Sequence, residues 1–314
     1  MAKLISVIIP VYNEAESLPF LWAEFQKVAT LLSSYDFEFV FINDGSTDNS
    51  AEVIKNLAAS NPNIKYIELS RNFGKEIATT AGFNHAQGEA VIMIDADLQH
   101  PPRLIPEFIK KWEAGAEVII GVRQKNKGEG IIKKLGSFIF YKLINRIASI
   151  KIVPAATDFR LLDRKVVTEF NKFTERNRMT RALINWLGFK RDFIYFEADA
   201  RLRGKASYSF IKLAKLALSS FISLSLLPLK LAGYLGCSII FFAGSFGFYL
   251  LLGRYIFEWS FALSFTGTAE LAILLVFLVG IILSSLGLMA LYIASIHGEV
   301  INRPLYVIRD KKNI

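Results

Sequence analysis

Cysteine and histidine are scarce in this chain, with one cysteine and three histidines among 314 residues. Cys237 lies alone in an apolar run, so it can form neither an internal disulfide nor a cysteine-based metal cluster. His85, His100 and His297 are scattered along the chain, which argues against a zinc site and against a Ser-His-Asp triad. Only His100 stands beside an acidic cluster.

Two nucleotide-binding motifs are missing as well. No Gly-x-Gly-x-x-Gly follows the first predicted strand, and no Gly-x-x-x-x-Gly-Lys-Ser/Thr occurs anywhere. The sequence therefore lacks the main motifs of dinucleotide-dependent hydride transfer and of P-loop nucleotide hydrolysis. The net charge of +9 comes without any nucleic-acid-binding motif. We expect the basic surface to meet anionic headgroups or phosphorylated ligands.

Charged residues are missing from two long segments, 231–253 and 271–296. Each exceeds the roughly 20 helical residues that cross a hydrocarbon core, so both are predicted to be transmembrane helices. The alternative is a pair of buried core helices, although globular helices seldom run this long without a polar face. The preceding run, 207–230, predicts an amphipathic helix that lies at the membrane interface or covers the soluble core.

Basic residues around these segments predict an orientation. The connection between the two segments has one basic residue, Arg254, whereas the flanks are rich in them: Lys212, Lys215, Lys230, Arg303, Arg309, Lys311 and Lys312. The positive-inside rule then predicts a multi-pass protein of the inner or plasma membrane with both termini in the cytoplasm. The N-terminus offers no secretory signal, because its apolar run 4–9 is short and is followed by Pro10.

The first 120 residues alternate between buried-strand and amphipathic-helix patterns. Strands are predicted at 4–9, 37–42, 64–69, 90–94 and 117–120, and helices at 15–32, 48–59, 74–86 and 103–114. This alternation predicts an α/β fold with a mostly parallel sheet and helices on both faces. Ligands of such sheets bind at the carboxyl ends of the strands.

Polar clusters follow three of the predicted strands, at 10–14, 43–48 and 95–102. The second cluster alone is equally typical of a turn in which Asp48 caps the next helix. In the third, Asp95 and Asp97 alternate at a strand end, so their carboxylates share one site and favour a cation between them. Such oxygen ligands suit Mg²⁺ or Mn²⁺, the alternative being a solvated turn.

Together, the segments VIIPVYNE, NDGSTD, SRNFGKE and DADLQHPP resemble glycosyltransferase family 2 enzymes that load sugars onto polyisoprenyl phosphates. This group includes dolichyl-phosphate mannose synthase and the undecaprenyl-phosphate glycosyltransferases. The resemblance covers nearly the whole chain and matches the subgroup with two C-terminal transmembrane helices. It extends through the segments 121–123, 158–162, 186–189, 201–204 and 298–306.

The resemblance implies a GT-A catalytic domain and an inverting, metal-dependent transfer from a UDP- or GDP-sugar to a polyprenyl phosphate. It implies Mg²⁺ or Mn²⁺ as cofactor, membrane lipids as surroundings and a homo-oligomer such as a tetramer. The expected domains are a cytoplasmic catalytic domain at 1–206, the interfacial helix at 207–230, two spans within 231–296 and a basic cytoplasmic tail at 297–314.

The resemblance also implies roles for single residues. Nucleotide-sugar binding falls to Pro10, Tyr12, Glu14, Asp44, Arg71, Asp95 and Gln99, and metal binding to Asp95, Asp97 and Gln99. The expected catalytic residues are Asp97, Asp158 and Arg123. Asp158 either orients the acceptor, acts as a weak base, or only holds a neighbouring arginine such as Arg160.

Basic side chains are the candidates for binding the acceptor phosphate, because they give charge-assisted hydrogen bonds to phosphate oxygens. We expect Arg123, Lys133, Ser137 and Arg201 to fill this role, with Lys134 competing with Lys133. The alternative is a solvated or lipid-facing basic surface.

Two positions depart from the family pattern. The stretch Gly204–Tyr208 has no lysine directly before its aromatic residue, and the second cluster begins with Asn43-Asp44 instead of paired aspartates. A processive polysaccharide synthase is the less favoured alternative, because no Gln-x-x-Arg-Trp element occurs. A non-catalytic relative is disfavoured by the intact Asp95, Asp97 and Gln99. The sequence does not identify the sugar.

Overall fold

The computed structural model describes residues 2–124, 156–176, 178–197, 267–301 and 303–314, together with residues 245, 252 and 256. The chain divides into two compact units. The first comprises Met1–Arg146, Ile150–Ser207 and Arg303–Ile314, and the second comprises Ile147–Ser149 and Tyr208–Asn302.

A mixed β-sheet forms the centre of the first unit. Its described strands number eight and lie in the order β7-β5-β6-β4-β1-β2-β3-β8. They are β1 (Lys3–Val11), β2 (Tyr35–Asn43), β3 (Ile64–Leu69), β4 (Ala90–Met93), β5 (Val118–Arg123), β6 (Ala156–Asp163), β7 (Arg191–Phe196) and β8 (Ile308–Lys312). The first five match the predicted strands to within a few residues.

The strands β4, β1, β2 and β3 are parallel neighbours. Their sequences are almost continuously apolar, and residues 5–9 of β1 and 37–43 of β2 are all buried. A strand in a parallel sheet is covered by helices on both faces, so polar side chains on either face would be buried away from water. This explains why the sequence shows apolar runs instead of alternation.

Helices cover both faces of this sheet, as predicted. The helices are α1 (Leu18–Leu31), α2 (Ser50–Ser60), α3 (Lys75–His85), α4 (Ile105–Glu113), α5 (Arg164–Phe170) and α6 (Thr180–Trp186), with a 3-10 turn at Pro102–Leu104. One hydrophobic core lies under α1, α2 and α4, and a second lies under α3, α5 and α6 on the opposite face. The expected α/β fold with a mostly parallel sheet is confirmed.

Two antiparallel strands extend the sheet in a way that the sequence did not reveal. Strand β6 is inserted between β4 and β5 and runs antiparallel to both. Met93 of β4 pairs with Arg160, so the amino-terminal end of β6 lies at the carboxyl end of β4. Asp158 is thereby carried to the same edge of the sheet as the acidic cluster at 95–102. Strand β8 pairs antiparallel with β3 at the opposite margin.

In the second unit, the helix α7 (Gly267–Val300) contains the uncharged segment 271–296. Nevertheless, within the described part of the chain, no helix has both the length and the apolarity that crossing a membrane requires. The predicted multi-pass location in the inner or plasma membrane, with cytoplasmic termini, is wrong on this finding. The prediction rested on two long uncharged segments, on the basic residues that flank them and on the family resemblance, and an uncharged segment of this length is only a candidate for a spanning helix. The predicted helices at 207–230 and 231–253 lie outside the described residues, apart from Ser245 and Leu252.

A buried ion pair lies inside the first unit. The side chain of Glu38 is 5% exposed, and its Oε2 lies 2.5 Å from Nζ of Lys65. Ser6 and the backbone N–H of Gln87 and Gly88 donate to Oε1 of the same carboxylate. Burial alone would raise the pKa of Glu38, but Lys65 and these donors hold it below its ordinary value.

We expect Lys65→Met to lower the free energy of unfolding by about 3–5 kcal/mol, because it leaves Glu38 buried without its counter-charge. The matched control is Lys27→Met, which breaks the exposed Lys27–Glu24 pair and should cost less than about 0.5 kcal/mol. Denaturant unfolding at pH 7 measures both. Equal losses in the two variants would contradict the assigned role of Lys65.

The stability of the wild-type chain should also depend on Glu38 in acid. Because the pKa of Glu38 is lower in the folded than in the unfolded chain, its contribution is fully present above the ordinary carboxyl pKa. It is lost as the pH falls through the folded-state pKa. The difference in unfolding free energy between wild type and Lys65→Met should therefore shrink on acidification, and a difference independent of pH would contradict this.

Candidate active site

The carboxyl ends of β1, β2 and β4 meet at one edge of the sheet, joined there by the amino-terminal end of β6. The register places Val11 beside Asn43 and Ile8 beside Met93. The three polar clusters, at 10–14, 43–48 and 95–102, all leave the sheet at this edge.

The first two clusters are tied together by hydrogen bonds. The N–H of Asn13 donates to Oγ of Ser46 (3.0 Å), and Oδ1 of Asn13 accepts from the N–H of Thr47 (2.8 Å). Asn13 adopts the left-handed conformation, with φ of 56°. Asp48 accepts from the N–H of Ser50, the first residue of α2, and also from the N–H of Ala15. Asp48 thus binds the first residue of α2, as expected if the cluster at 43–48 is a turn before a helix. It also fixes the loop that follows β1.

Asp44 is buried and holds the loop that follows β3. Its two carboxylate oxygens accept from the N–H of Phe73 (2.7 Å) and of Gly74 (2.9 Å). Burial raises the pKa of Asp44, while these two donors and Arg71 oppose the rise. Arg71 lies in the same loop with its guanidinium 4.1 Å from the centre of the Phe73 ring.

Gly45 lets this loop pack closely. Its φ is 64°, and a Cβ atom there would lie 2.5 Å from the backbone carbon of Arg71. Any other residue would therefore displace the loop that carries Arg71.

A chain of four charged groups crosses the centre of the site. Nζ of Lys75 lies 2.5 Å from Oδ1 of Asp95 and 2.7 Å from Oδ2 of Asp158. Arg181 donates to both oxygens of Asp158, from Nε at 2.5 Å and Nη2 at 2.9 Å. The two acids come from β6 and the end of β4, and the two cations from the first residues of α3 and α6. This is a compact, nearly neutral cluster in which each acid touches a cation.

The cluster decides the charge state of its members. Burial alone would raise the pKa of Asp158, but Lys75 and Arg181 hold it well below the ordinary value. Although the whole Lys75 side chain is 45% exposed, desolvation of its ammonium tends to lower the pKa of Lys75. Asp95 and Asp158 more than offset this and raise it. Asp158 is thus a carboxylate and Lys75 an ammonium at neutral pH, so Asp158 is a poor proton acceptor.

The arginine held by Asp158 is Arg181 and not the expected Arg160. Arg160 is 1% exposed and donates from Nε to the carbonyl of Thr157 (3.0 Å). Burial lowers the pKa of Arg160 to about 10.

Asp97, Gln99 and Arg123 form the second part of the site. The N–H of Gln99 donates to Oδ1 of Asp97 (3.1 Å), and Nη2 of Arg123 donates to Oε1 of Gln99 (3.0 Å). Between them, Leu98 has a φ of 61°, a strained conformation for a branched side chain. Such strain is typical of sites where a backbone is held in place for a function.

His100 supports Asp95 from below. The imidazole is 3% exposed, stacks on Phe159 with ring centres 5.6 Å apart, and accepts at Nδ1 from the N–H of Asp95 (3.4 Å). Burial lowers the pKa of His100. The ring is therefore neutral near pH 7.

The donor types at 95–99 fit a hard divalent cation. Two carboxylates and one amide oxygen are available at Asp95, Asp97 and Gln99, and Mg²⁺ or Mn²⁺ sites usually add water and substrate phosphate to one or two carboxylates. No group of three His, Cys, Asp or Glu residues in the described ranges could hold a metal by itself. Asp95 meanwhile holds Lys75, and Gln99 holds Arg123. The metal set therefore stays a prediction.

The other predicted residues are placed as follows. Pro10 is the penultimate residue of β1, Tyr12 is 45% exposed, and Oε2 of Glu14 accepts from Oγ of Ser17 (3.0 Å). Lys133, Ser137 and Arg201 lie outside the described residues.

Two central residues were missed as site residues. Lys75 stood inside the recognised SRNFGKE segment, so its position was a usable signal. The sequence around Arg181 gave no comparable signal, because only the packing of α6 against β6 brings this residue to Asp158.

Comparison with known proteins bears on the whole chain. The family described as Glycosyl transferase family 2 matches residues 6–170. A glycosyltransferase of Synechocystis sp. described as uncharacterized is 40% identical over 98% of this chain and 95% of its own. A bactoprenol glucosyl transferase of Shigella phage SfV and a prophage bactoprenol glucosyl transferase homolog of Escherichia coli are each 36% identical, covering 98% of this chain and 99% of their own.

Solved structures also match in part. Glucosyl-3-phosphoglycerate synthase of Mycobacterium tuberculosis aligns over 71% of this chain and 78% of its own, with 14% identity and a TM-score of 0.46. A mannosyltransferase of Pyrobaculum calidifontis aligns over 66% of this chain and 59% of its own, with 17% identity and a TM-score of 0.45. On its family match and its near full-length relatives, the chain belongs to glycosyl transferase family 2 and is a glycosyltransferase.

Proposed function

We propose that this enzyme transfers a hexose from a UDP- or GDP-sugar to a polyprenyl phosphate, with inversion at the sugar carbon and with Mg²⁺ or Mn²⁺ bound. The observation that carries the proposal is the cluster Asp95–Lys75–Asp158–Arg181, in which two cations suited to an anionic acceptor belong to the same set of ion pairs as Asp95, a proposed metal ligand. Relatives named bactoprenol glucosyl transferases over nearly the full length support a polyprenyl phosphate acceptor and make glucose the first sugar to test.

In this proposal the donor diphosphate lies against Asp95, Asp97 and Gln99. A bound divalent cation supplies Lewis-acid stabilisation of the charge that develops on the leaving nucleotide diphosphate. The exposed ring of Tyr12, together with Glu14 and Arg71, lies on the loops where the nucleoside would be held, with Pro10 and Asp44 at the base of those loops.

The acceptor phosphate is already an anionic nucleophile, so no base is needed to remove a proton. Placing it in line with the sugar carbon is the larger demand. Lys75, Arg181 and Arg123 supply the positive charge near Asp95 and Asp97. We assign to Asp158 the orientation of Lys75 and Arg181, since its low pKa makes it a poor base. Lys133, Ser137 and Arg201 stay further candidates for phosphate contacts.

The test is transfer of labelled sugar to undecaprenyl phosphate dispersed in detergent, using the full chain, UDP-glucose, GDP-mannose and a wider donor panel. Mn²⁺, Mg²⁺ and a chelator form the arms of the experiment. Labelled, organic-extractable product from one donor, lost with chelator, supports the proposal. A chain that hydrolyses a donor but never labels the lipid would overturn the assigned acceptor.

Asp97→Asn should lower the transfer rate by about 100- to 1,000-fold, because several kcal/mol of charge stabilisation at the diphosphate depend on the metal and its carboxylate ligands. Asp192→Asn is the matched control, since Asp192 lies on edge strand β7, where its side chain is 45% exposed and pairs with Lys111. An Asp97→Asn variant with wild-type activity would remove Asp97 from the catalytic machinery.

Lys75→Met should slow transfer by about 10- to 100-fold, the value of one charge-assisted hydrogen bond to phosphate. The loss should appear mainly in kcat and in the KM for polyprenyl phosphate. Lys111→Met, which breaks the partly buried pair with Asp192, should leave both constants unchanged. A Lys75→Met variant that changes only the KM for the nucleotide sugar would place Lys75 on the donor side instead.

A further inference from the structure

The last residues of the chain form an edge strand beside the loop that carries Arg71. Strand β8 (Ile308–Lys312) runs antiparallel to β3 (Ile64–Leu69), with Tyr66 opposite Lys312 and Leu69 opposite Ile308. The register shifts between Glu68 and Leu69. The beginning of β8 therefore lies at the carboxyl end of β3, on the side of the candidate active site.

The terminal segment, residues 306–313, binds both backbone groups of Ser70. The N–H of Ser70 donates to the carbonyl of Val307 (2.8 Å), and Nη2 of Arg309 donates to the carbonyl of Ser70 (2.6 Å). Nη1 of Arg309 also reaches Oε1 of Glu68 at 3.4 Å. Ser70 is the first residue after β3, so its position decides where the following loop starts.

Other contacts fix the terminal segment to the sheet and its helices. Lys55 of α2 bridges Glu68 (3.2 Å) and Asp310 (3.0 Å). Nδ2 of Asn313 donates to carbonyls at the end of α2 and the start of β3, and the hydroxyl of Tyr306 accepts from Nδ2 of Asn84 (3.0 Å) on α3. The terminal segment thus contacts α2 at one end and α3 at the other.

The loop 70–74 is consequently held from two sides. From the interior, Asp44 accepts from the N–H of Phe73 and Gly74. From the edge, Val307 and Arg309 bind Ser70. Arg71 lies between these two attachment points.

We propose that strand β8, together with Val307 directly before it, is a positioning element for nucleotide binding, acting through the contacts of Val307 and Arg309 with Ser70. Without these contacts, the loop loses its attachment at Ser70 and keeps those around Asp44 and Phe73, so Arg71 is held from one side and no longer from two. Arg309 is a positioning residue, because it acts through Ser70 and not on the substrate. This inference rests on the proposed function, in which the loop carrying Arg71 binds the nucleotide.

The variants are Arg309→Gln, Arg309→Lys and a deletion of residues 307–314, each in the otherwise full chain. Lys311→Gln is the control, because it removes a positive charge from the same strand without touching Ser70. Binding of UDP and of GDP, each with Mn²⁺, is measured by titration calorimetry. Hydrogen exchange of the peptides covering 4–11 and 70–74 is followed in parallel.

We expect Arg309→Gln to weaken binding of the preferred nucleotide about 3- to 10-fold, roughly the value of one hydrogen bond from a charged donor. The deletion should weaken it further. Exchange should rise at 70–74 and stay unchanged at 4–11, and Arg309→Lys should recover part of the affinity. In turnover, the KM for the nucleotide sugar should rise while the KM for polyprenyl phosphate stays constant.

The outcomes separate the two proposals. Wild-type chain that binds neither UDP nor GDP contradicts the proposed function itself. Wild-type binding that is equal in Arg309→Gln and in the deletion overturns the role of β8 and leaves the proposed function intact. A loss of affinity accompanied by faster exchange at 4–11 also overturns it, since that pattern reports general unfolding.

Discussion

Two carboxylates, Asp95 and Asp158, share the ammonium group of Lys75, and the candidate site is arranged around this contact. Like charges brought so close repel unless a cation lies between them. A parallel strand, β4, and an antiparallel strand, β6, deliver the two acids to the same edge, and the start of α3 delivers the lysine. The sheet order thus brings two negative charges together, and the Lys75 ammonium offsets their repulsion.

The same contact connects the two halves of the proposed reaction. Asp95 belongs to the cluster that would hold the donor diphosphate, and Asp158 with Arg181 belongs to the part that would receive a phosphate. Any ligand that draws Asp95 away from Lys75 leaves a lysine with more free charge beside Asp158. Occupation of the donor side would therefore strengthen the attraction of the site for an anionic acceptor.

Backbone strain is concentrated in the loops around this contact. Asn13 and Leu98 adopt left-handed conformations, and Gly45 takes up a third where no side chain would fit. For Asn13 and Leu98 such a conformation costs of order 1–3 kcal/mol and persists where the surroundings determine it, whereas glycine adopts it without steric cost. The apolar strands beneath, buried on both faces, offset that cost and hold the loops in place.

Much of the parallel core was predictable, because a strand that is buried on both faces consists largely of apolar residues. The runs at 4–9 and 37–42 are of this kind. The positions of Asp95, Asp97 and Gln99 followed from strand ends and family resemblance. Strand β6 was not predicted as a strand, since its Asp158 and Arg160 break an apolar run. The pairing of Asp158 with Arg181 depends on tertiary packing between segments 23 residues apart, for which no local pattern exists. The missing charge at 271–296 indicated a helix correctly but was misleading about location.

Strand β8 has one more consequence, which concerns the colloidal behaviour of the protein. Strand β3 is buried along its whole length and consists largely of apolar and aromatic residues. Left as an outer strand, it would offer its free backbone groups to strands of other chains. Strand β8 occupies that position instead, and four of its five residues are charged: Arg309, Asp310, Lys311 and Lys312. Lysine-rich margins of this kind discourage sheet-to-sheet association between molecules, so the strand that holds Ser70 through Arg309 also lowers the tendency of the protein to aggregate.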